Sequence, residues 1–465
     1  MLRTTPATPG HSAGAPSAPE RLGRPFHVHL SSVALSNLVD GMVLVGVPLL
    51  AVSLTRSPQE IAWISTMFWL PWLLFGLASG VLVDRLDRRI VRLSATAVRV
   101  ALLGVMAVLA ATGHLTLVLL VVFMGLYGGL EVLVDLSARA IVPQLVPSSR
   151  LASANGRTMA SERVFDDFIG RPVGGVLVVA GAGWLFGAAA AVGVAVVLLL
   201  ALGLTGRFRP GDGLPGTAAE SEAPPAGTQL AERTGALREI RQGLAFLFGH
   251  PMLRPVAIMA SVANLASAAY MAVFILWVVG PGSAIGLTAG QYPLTMVAMA
   301  AGAILASLAI EPLRNRLPEV PLMLTGWMAQ VPLLILPVLA PRLDVLLAAW
   351  FLCGFCNMTG NVLVMTLMQR LTPNRLLGRV NGATSTMAFG LMPLGALSGG
   401  FVGEQFGLPV VFVGAAALLG LAVLYAVLAI PGRRAGGTGG DMRPADRTVQ
   451  RVLRAGVVGG GPGLR

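Results

Sequence analysis

Along this chain the apolar residues run unbroken for the thickness of a membrane. A helix rises 1.5 Å per residue, so about 20 apolar residues are needed to cross a hydrocarbon core of roughly 30 Å. Runs of that length lie near 29–54, 60–83, 90–112, 115–137, 156–180, 184–205, 254–279, 288–310, 319–340, 343–368, 379–403 and 408–430, predicting twelve spans. Short joins rich in Gly, Pro, Ser and Arg separate them. Residues 1–28 are expected to be a disordered cytoplasmic tail. They lack the apolar core and cleavage site of a leader, so the first run is expected to stay as a helix. Residues 207–252 form a polar central loop, within which Leu237–Leu247 reads as an amphipathic helix on the membrane surface. Residues 431–465 are a basic, Gly-rich tail. That leaves 29–206 and 253–430 as two bundles of six spans each.

The series repeats itself. Pro147 through Asn155-Gly156 has the spacing of Pro373 through Asn381-Gly382, 226 residues later. Gly174 matches Gly400 at the same offset, and Asn37-Leu38 matches Asn264-Leu265 with one residue's difference. The expected fold is therefore all-α and integral to the membrane, with twelve transmembrane helices in two pseudo-symmetric six-helix halves. Transporters are commonly built from such duplications.

Composition and charge sharpen the picture. Only 12% of the 465 residues are charged, against roughly a quarter in soluble domains. A net charge of +12 would suggest nucleic acid in a soluble chain; here the charge lies in the joins and argues topology, not nucleic-acid binding. With both termini cytoplasmic, 28 arginines fall in inner segments, Arg56 and Arg342 in outer joins, and Arg99, Arg163 and Arg171 within spans. Such asymmetry predicts a multi-pass plasma-membrane protein with an even number of crossings. All 33 basic residues are arginine, so the chain has neither the lysine of a phosphate loop nor a Schiff-base lysine. Work must come from an ion gradient or a partner. Cys353 and Cys356 read as small packing residues. The histidines lie in tails, joins or span edges, and no metal-ligand cluster, cofactor motif or nucleophile–base pair stands out. That disfavours an enzyme.

One join carries a motif. Gly76-Leu-Ala-Ser-Gly80-Val-Leu-Val-Asp84-Arg85-Leu-Asp87-Arg88-Arg89 ends the second run and begins the third. It resembles the Gly-x-x-x-Asp-Arg-x-x-Arg-Arg loop of the major facilitator superfamily. Leu70-Pro71-Trp72-Leu73, Pro143-Gln-Leu-Val-Pro147 and Gln369-Arg-Leu-Thr-Pro373 through Asn381 are similar to its macrolide-efflux and enterobactin-exporter branch. The resemblance spans about residues 28–430, apart from the central loop. It implies a central cavity, alternating access, and a gating loop of Gly80, Asp84, Arg85, Arg88 and Arg89, with Asp84 facing the segment that begins near Gly378. The counterpart after the eighth span, Ser307 through Arg316, is degenerate. The fifth span reads Gly170-Arg171-Pro172-Val173-Gly174-Gly175, where superfamily antiporters have Gly-Pro-x-x-Gly-Gly.

Ionisable groups at bilayer depth cost several kcal/mol unless paired or hydrated, and so mark function. Asp40 lies mid-span, and Glu131 sits in the fourth span with Asp135 near its end. The fifth holds Glu162, Arg163, Asp166, Asp167 and Arg171. Helical spacing puts Arg163, Asp167 and Arg171 on one stripe suited to ion pairing, beside Glu162 and Asp166. Asp135 with Arg139 reads as a membrane-edge pair. Asp40 has no basic neighbour within a turn, and Arg171 is its expected partner across helices. Asp40, Glu131, Asp166, Asp167 and Arg171 are thus the candidates for proton coupling. Asn37, Asn264, Tyr270, Asn357 and Asn361 are candidates for a substrate cavity that methionines and aromatics make adaptable.

The expected protein is a monomeric secondary transporter without cofactor or metal. It would export a hydrophobic or amphiphilic small molecule, such as a drug, antibiotic or secondary metabolite, by proton antiport. A proton-coupled uptake permease of the same fold is the alternative, and a non-transporting receptor a more distant one.

Overall fold

A computed structural model describes residues 22–83, 85–209 and 235–430. Its helices are α1 (Arg24–Leu54), α2 (Pro58–Val83), α3 (Arg88–Ala111), α4 (Leu117–Leu145), α5 (Leu151–Arg163), α6 (Arg171–Ala180) and α7 (Ala182–Leu198). After the central gap follow α8 (Gly235–Gly249), α9 (Leu253–Val278), α10 (Pro293–Arg316), α11 (Glu319–Leu339), α12 (Leu343–Leu371), α13 (Asn374–Gly390), α14 (Met392–Phe406) and α15 (Leu408–Ala429). A π-helical stretch, Val164–Gly170, joins α5 to α6. Among the described residues, ten helical stretches are long and apolar enough to cross a membrane.

The burial pattern is that of a protein dissolved in lipid. Val118, Leu202, Leu308, Leu339 and Leu428 are each more than 70% exposed, while Asp40, Arg92, Arg99 and Gln144 are buried. Water would oppose both arrangements; hydrocarbon outside and polar pairing inside favour them. This is a multi-pass membrane protein.

Several expected boundaries move. The eighth run begins at Pro293 rather than 288. Residues ahead of it form a turn in which Gly280, Gly282 and Gly286 have φ between 74° and 90°, a region other residues avoid. The same helix continues to Arg316, so the degenerate counterpart motif lies on its last turns and not in a join. The fifth and eleventh runs start about a turn earlier than expected, at Leu151 and Asn374. The amphipathic segment also departs from expectation. Leu247 of α8 is fully buried in a cluster with Leu253, Ala257, Met368 and Val380, so its apolar side packs on α9, α12 and α13 instead of lying on lipid.

Close crossings organise the bundle. A Cβ on Gly41 would lie 2.5 Å from the Asp166 carbonyl, and one on Gly170 2.7 Å from that of Leu38. Only glycine lets α1 and the π stretch touch backbone to backbone. Gly174 sits equally tightly on Met42, and Gly175 on Pro293. A matching set joins α9 and α14, where Gly395 faces Leu265 and Gly399 faces Ala269, while Gly400 faces Pro58, Gln59 and Ala62 of α2. Gly174 therefore corresponds to Gly399, not to Gly400 as the 226-residue offset suggested. The offset falls by one across the π stretch, because a π turn accommodates one residue more than an α turn.

At the end where α1 meets α2, the two groups of helices are tied together. Arg56 Nη1 donates to the Val279 carbonyl at 2.7 Å, and Ser57 Oγ to Glu404 Oε2 at 2.7 Å. Further along, Trp69 stacks on Phe389 with centroids 5.8 Å apart. At the opposite end ion pairs join near neighbours, as in Arg314 and Arg370 with Glu319.

Candidate functional site

The densest polar cluster lies inside the first group of helices. Asp40 sits at the Gly41 crossing, on the buried side of α1. Arg99 projects from α3 between it and Tyr127 and Glu131, which are one turn apart on α4. Its Nη2 reaches both Asp40 Oδ1 and the Tyr127 hydroxyl. Its Nη1 donates to Glu131 Oε2 at 2.5 Å. The Tyr127 hydroxyl donates to Asp40 Oδ1 at 2.6 Å. The guanidinium carbon also stands 4.3 Å from the Tyr127 ring centre, a favourable cation–π distance. One fixed positive charge thus faces two carboxylates in a largely buried site. With both ionised the set carries one excess negative charge, and one proton would balance it.

Asp40 is therefore paired with Arg99, which corrects the expected partner Arg171. Arg171 Nη2 instead binds Asp167 Oδ1 at 2.8 Å and Asp166 Oδ2 at 3.2 Å. The Asp167 contact is the one the stripe predicted; the π stretch brings Asp166, five residues before Arg171, within reach as well, which 3.6-residue spacing did not foresee. Arg163 holds Asp167 at 3.2 Å, as the stripe predicted. Arg139 pairs with Asp135 at 3.0 Å and approaches Glu162 at 3.9 Å.

The uncharged candidates divide. Asn357 and Asn361 share a 2.8 Å hydrogen bond on α12. They lie on the side of Trp350, which packs on Tyr270 and Phe274 of α9, and opposite exposed Leu352. Asn37 and Asn264 each donate to the carbonyl four residues back, at 2.9 and 3.0 Å. Tyr270 is buried, packed on Phe412 at 4.5 Å and donating to the Leu334 carbonyl at 3.1 Å. That makes it a core aromatic here, not a wall of a cavity.

In the basic join, Asp84 and the surroundings of Gly80 lie outside the described residues, and Arg85 is exposed. Asp87 caps α3, accepting from the backbone N–H of Arg89 at 3.0 Å and of Phe208 at 3.3 Å. Arg88 donates to Ala140 at 2.9 Å, and Arg89 to Ala201 at 2.8 Å. These arginines tie the join to backbone carbonyls on α4 and just after α7, where the negative helix ends favour cations. Asp87→Ala is expected to cost about 1 kcal/mol through the lost cap. It should lower the thermal midpoint followed by tryptophan fluorescence and leave transport per folded molecule close to wild type. Reduced transport at an unchanged midpoint would assign the cap to gating.

Sequence reasoning missed four residues: Arg99, Tyr127, Arg92 and His29. For Arg99 the signal was present, an arginine in the middle of an apolar run. Tyr127 sits one turn before Glu131. Arg92 and His29 lie near span ends and looked like interfacial residues. Among the described residues, no group of three or more His, Cys, Asp or Glu side chains could hold a metal ion.

Comparison with known proteins agrees with this architecture. Residues 18–447 match the family model described as transmembrane secretion effector. The chain is 27% identical to the enterobactin exporter EntS of Citrobacter koseri over 351 residues, covering 74% of this chain and 76% of that one. It is 26% identical to the same exporter of Escherichia coli over 349 residues, with the same coverage. Among solved structures, a bacterial homolog of the human lysosomal transporter Spinster, inward-facing and occupied, superposes with a TM-score of 0.64 at 15% identity. It covers 88% of this chain and 97% of the other. The nucleoside transporter NupG gives 0.61 at 13% identity, covering 88% and 100%. The chain belongs to the transmembrane secretion effector family, and so is a major facilitator superfamily transporter of the enterobactin-exporter branch.

Proposed function

We propose that this protein exports a hydrophobic or amphiphilic small molecule in exchange for protons, by alternating access between two six-helix halves. The observation that carries the reading is Arg99 shared between Asp40 and Glu131. A buried guanidinium with two carboxylates has a place for one proton, and transport of charge across a membrane needs such a place. The exporter direction draws support from the relatives' printed function. The paired crossings, Gly170 on Leu38 and Gly395 on Leu265, support two halves of common descent, with α2 and the broken rod α5–α6 completing twelve crossings. Arginine bias supports cytoplasmic termini, which makes the end closed by Arg56 and Glu404 the outer one. Asn357, Asn361 and the nearby Met365 would offer the cargo a few hydrogen bonds on an adaptable apolar face. Asp166, Asp167 and Arg171, beside the α1 crossing, act in this reading as a charge network at the meeting of the halves.

Everted membrane vesicles test the reading directly. With an acidified interior, vesicles expressing the protein are expected to accumulate labelled enterobactin, or another compound from a panel of amphiphiles, and to lose part of the pH difference as they do so. Efflux from the vesicles under the same gradient would assign uptake by symport instead. No movement of any compound with the gradient imposed or collapsed would reject transport.

A further inference from the structure

The buried side of α3 carries two arginines seven residues apart, and only the deeper one is neutralised. Arg92 is fully buried. Its Nη1 lies 2.9 Å from His29 Nδ1 on α1. A guanidinium can only donate, so the imidazole accepts there and carries its proton on Nε2. Arg92 Nε, Arg92 Nη2 and His29 Nε2 then find no acceptor among the described residues. Burying a donor without an acceptor is costly, and more so when the donor is charged. Thr96 lies between the two arginines but turns its hydroxyl to the Arg92 carbonyl.

The charged groups facing Arg92 are Arg99 on its own helix, Glu131 and Asp135 on α4, and Glu162 on α5. Each acid is held elsewhere: Glu131 by Arg99, and Asp135 and Glu162 by Arg139. The deep arginine thus has two carboxylates and the shallow one has none. Balance can be restored by a proton at the deep level or by carrying Glu131 across to Arg92. We propose that Arg92 is a second seat for the Glu131 carboxylate, taken when Asp40 is ionised and vacated when Asp40 binds its proton. The inference rests on the proton-coupling reading above and deepens it. When Asp40 loses its proton, it satisfies Arg99 alone, and Glu131 is released toward the unpartnered donors. When the proton returns, Arg99 draws Glu131 back. His29 is a positioning residue, a neutral acceptor that holds the guanidinium fork while the seat is empty. Protonation on α1 is thereby converted into movement of a side chain between two levels of α3.

The test is an infrared titration of the protonated-carboxyl band in the full-length protein, purified and reconstituted in lipid. Asp40→Asn should remove that band, which assigns it. Arg92→Met, close in length and without buried charge, removes the seat. Because the seat stabilises the ionised state, its loss makes the proton leave at higher pH, and the midpoint is expected to rise by a tenfold change in proton concentration or more. Arg92→Lys should return it toward wild type. In a Glu131→Gln background, Arg92→Met should no longer move the midpoint. An unmoved midpoint in Arg92→Met overturns the proposal. So does an equal shift in the Glu131→Gln background, which would mean that Arg92 acts on Asp40 through space alone. If Arg92→Met does not fold, Arg92→Gln carries the same expectations. A wild type without the band, or a band that survives Asp40→Asn, overturns the coupling reading itself and this inference with it.

Discussion

Arg99→Gln is expected to abolish gradient-driven transport, lowering the rate by roughly 100- to 1,000-fold. Removing one partner of a buried ion pair costs about 3–5 kcal/mol, because the remaining charge stays buried without compensation, and about 1.4 kcal/mol corresponds to a factor of ten. Here the loss is compounded, since Asp40 and Glu131 would face each other across a neutral amide. At least one must hold a proton permanently, so the cycle stalls. Thermal stability of the detergent-solubilised protein should fall as well, measurable from the loss of the monodisperse peak after heating. Arg99→Lys should recover folding better than transport. An ammonium is a point charge, whereas the guanidinium fork reaches Asp40 and Glu131 from two nitrogens. Near-normal accumulation in Arg99→Gln would remove the shared arginine from the mechanism.

Asp40→Asn has the second-largest expected effect, and of a different kind. The amide oxygen can still accept from Tyr127 and Arg99, and Arg99 keeps Glu131 as a single counter-ion. The variant mimics the protonated state and should fold as well as wild type. It should lose uphill accumulation entirely, while exchange of labelled for unlabelled cargo across liposomes without a gradient continues and no longer depends on pH. The sign follows from the charge count. On the proposed coupling, raising pH in the wild type would ionise Asp40 and bring the excess negative charge, and in the variant nothing at that position would respond. Accumulation that persists and keeps its pH dependence would shift the coupling site to the Asp166, Asp167 and Arg171 group.

Much of the fold was legible because lipid imposes a length. Run length located the crossings, and charges within runs flagged Asp40, Glu131 and the fifth-span acids. Their partners were harder to read. Helices such as α7 and α15 are apolar on every side, so spacing alone does not fix how they turn toward one another. Arg99 was visible as a charge in a run, yet its contact with Asp40 spans 59 residues and depends on that rotation. Arg171 was assigned to Asp40 because Asp40 has no basic neighbour on its own helix, but the structure gives Arg171 to Asp167, as the stripe predicted, and to Asp166. Asn37 and Asn264 looked available for cargo, but their amides turn back on their own helices. The basic join was readable as a motif, though the carbonyl partners of Arg88 and Arg89 come from segments far along the chain.

The closure at the Arg56 end has a consequence for energy supply. The hydrogen bonds that cross it run from Arg56 to a backbone carbonyl and from Ser57 and the Gln59 N–H to one carboxylate, Glu404. Partly hydrated bonds of this kind contribute about 0.5–1.5 kcal/mol each. Their combined strength is comparable to a single proton falling through an energised membrane, about 2.3 kcal/mol for every 100 mV. Under the proposed proton exchange, the hydrogen-bonded part of this closure is of a size that one proton per cycle would offset. In that reading the resting gradient and the cargo together, rather than these bonds alone, would decide which face of the transporter is open.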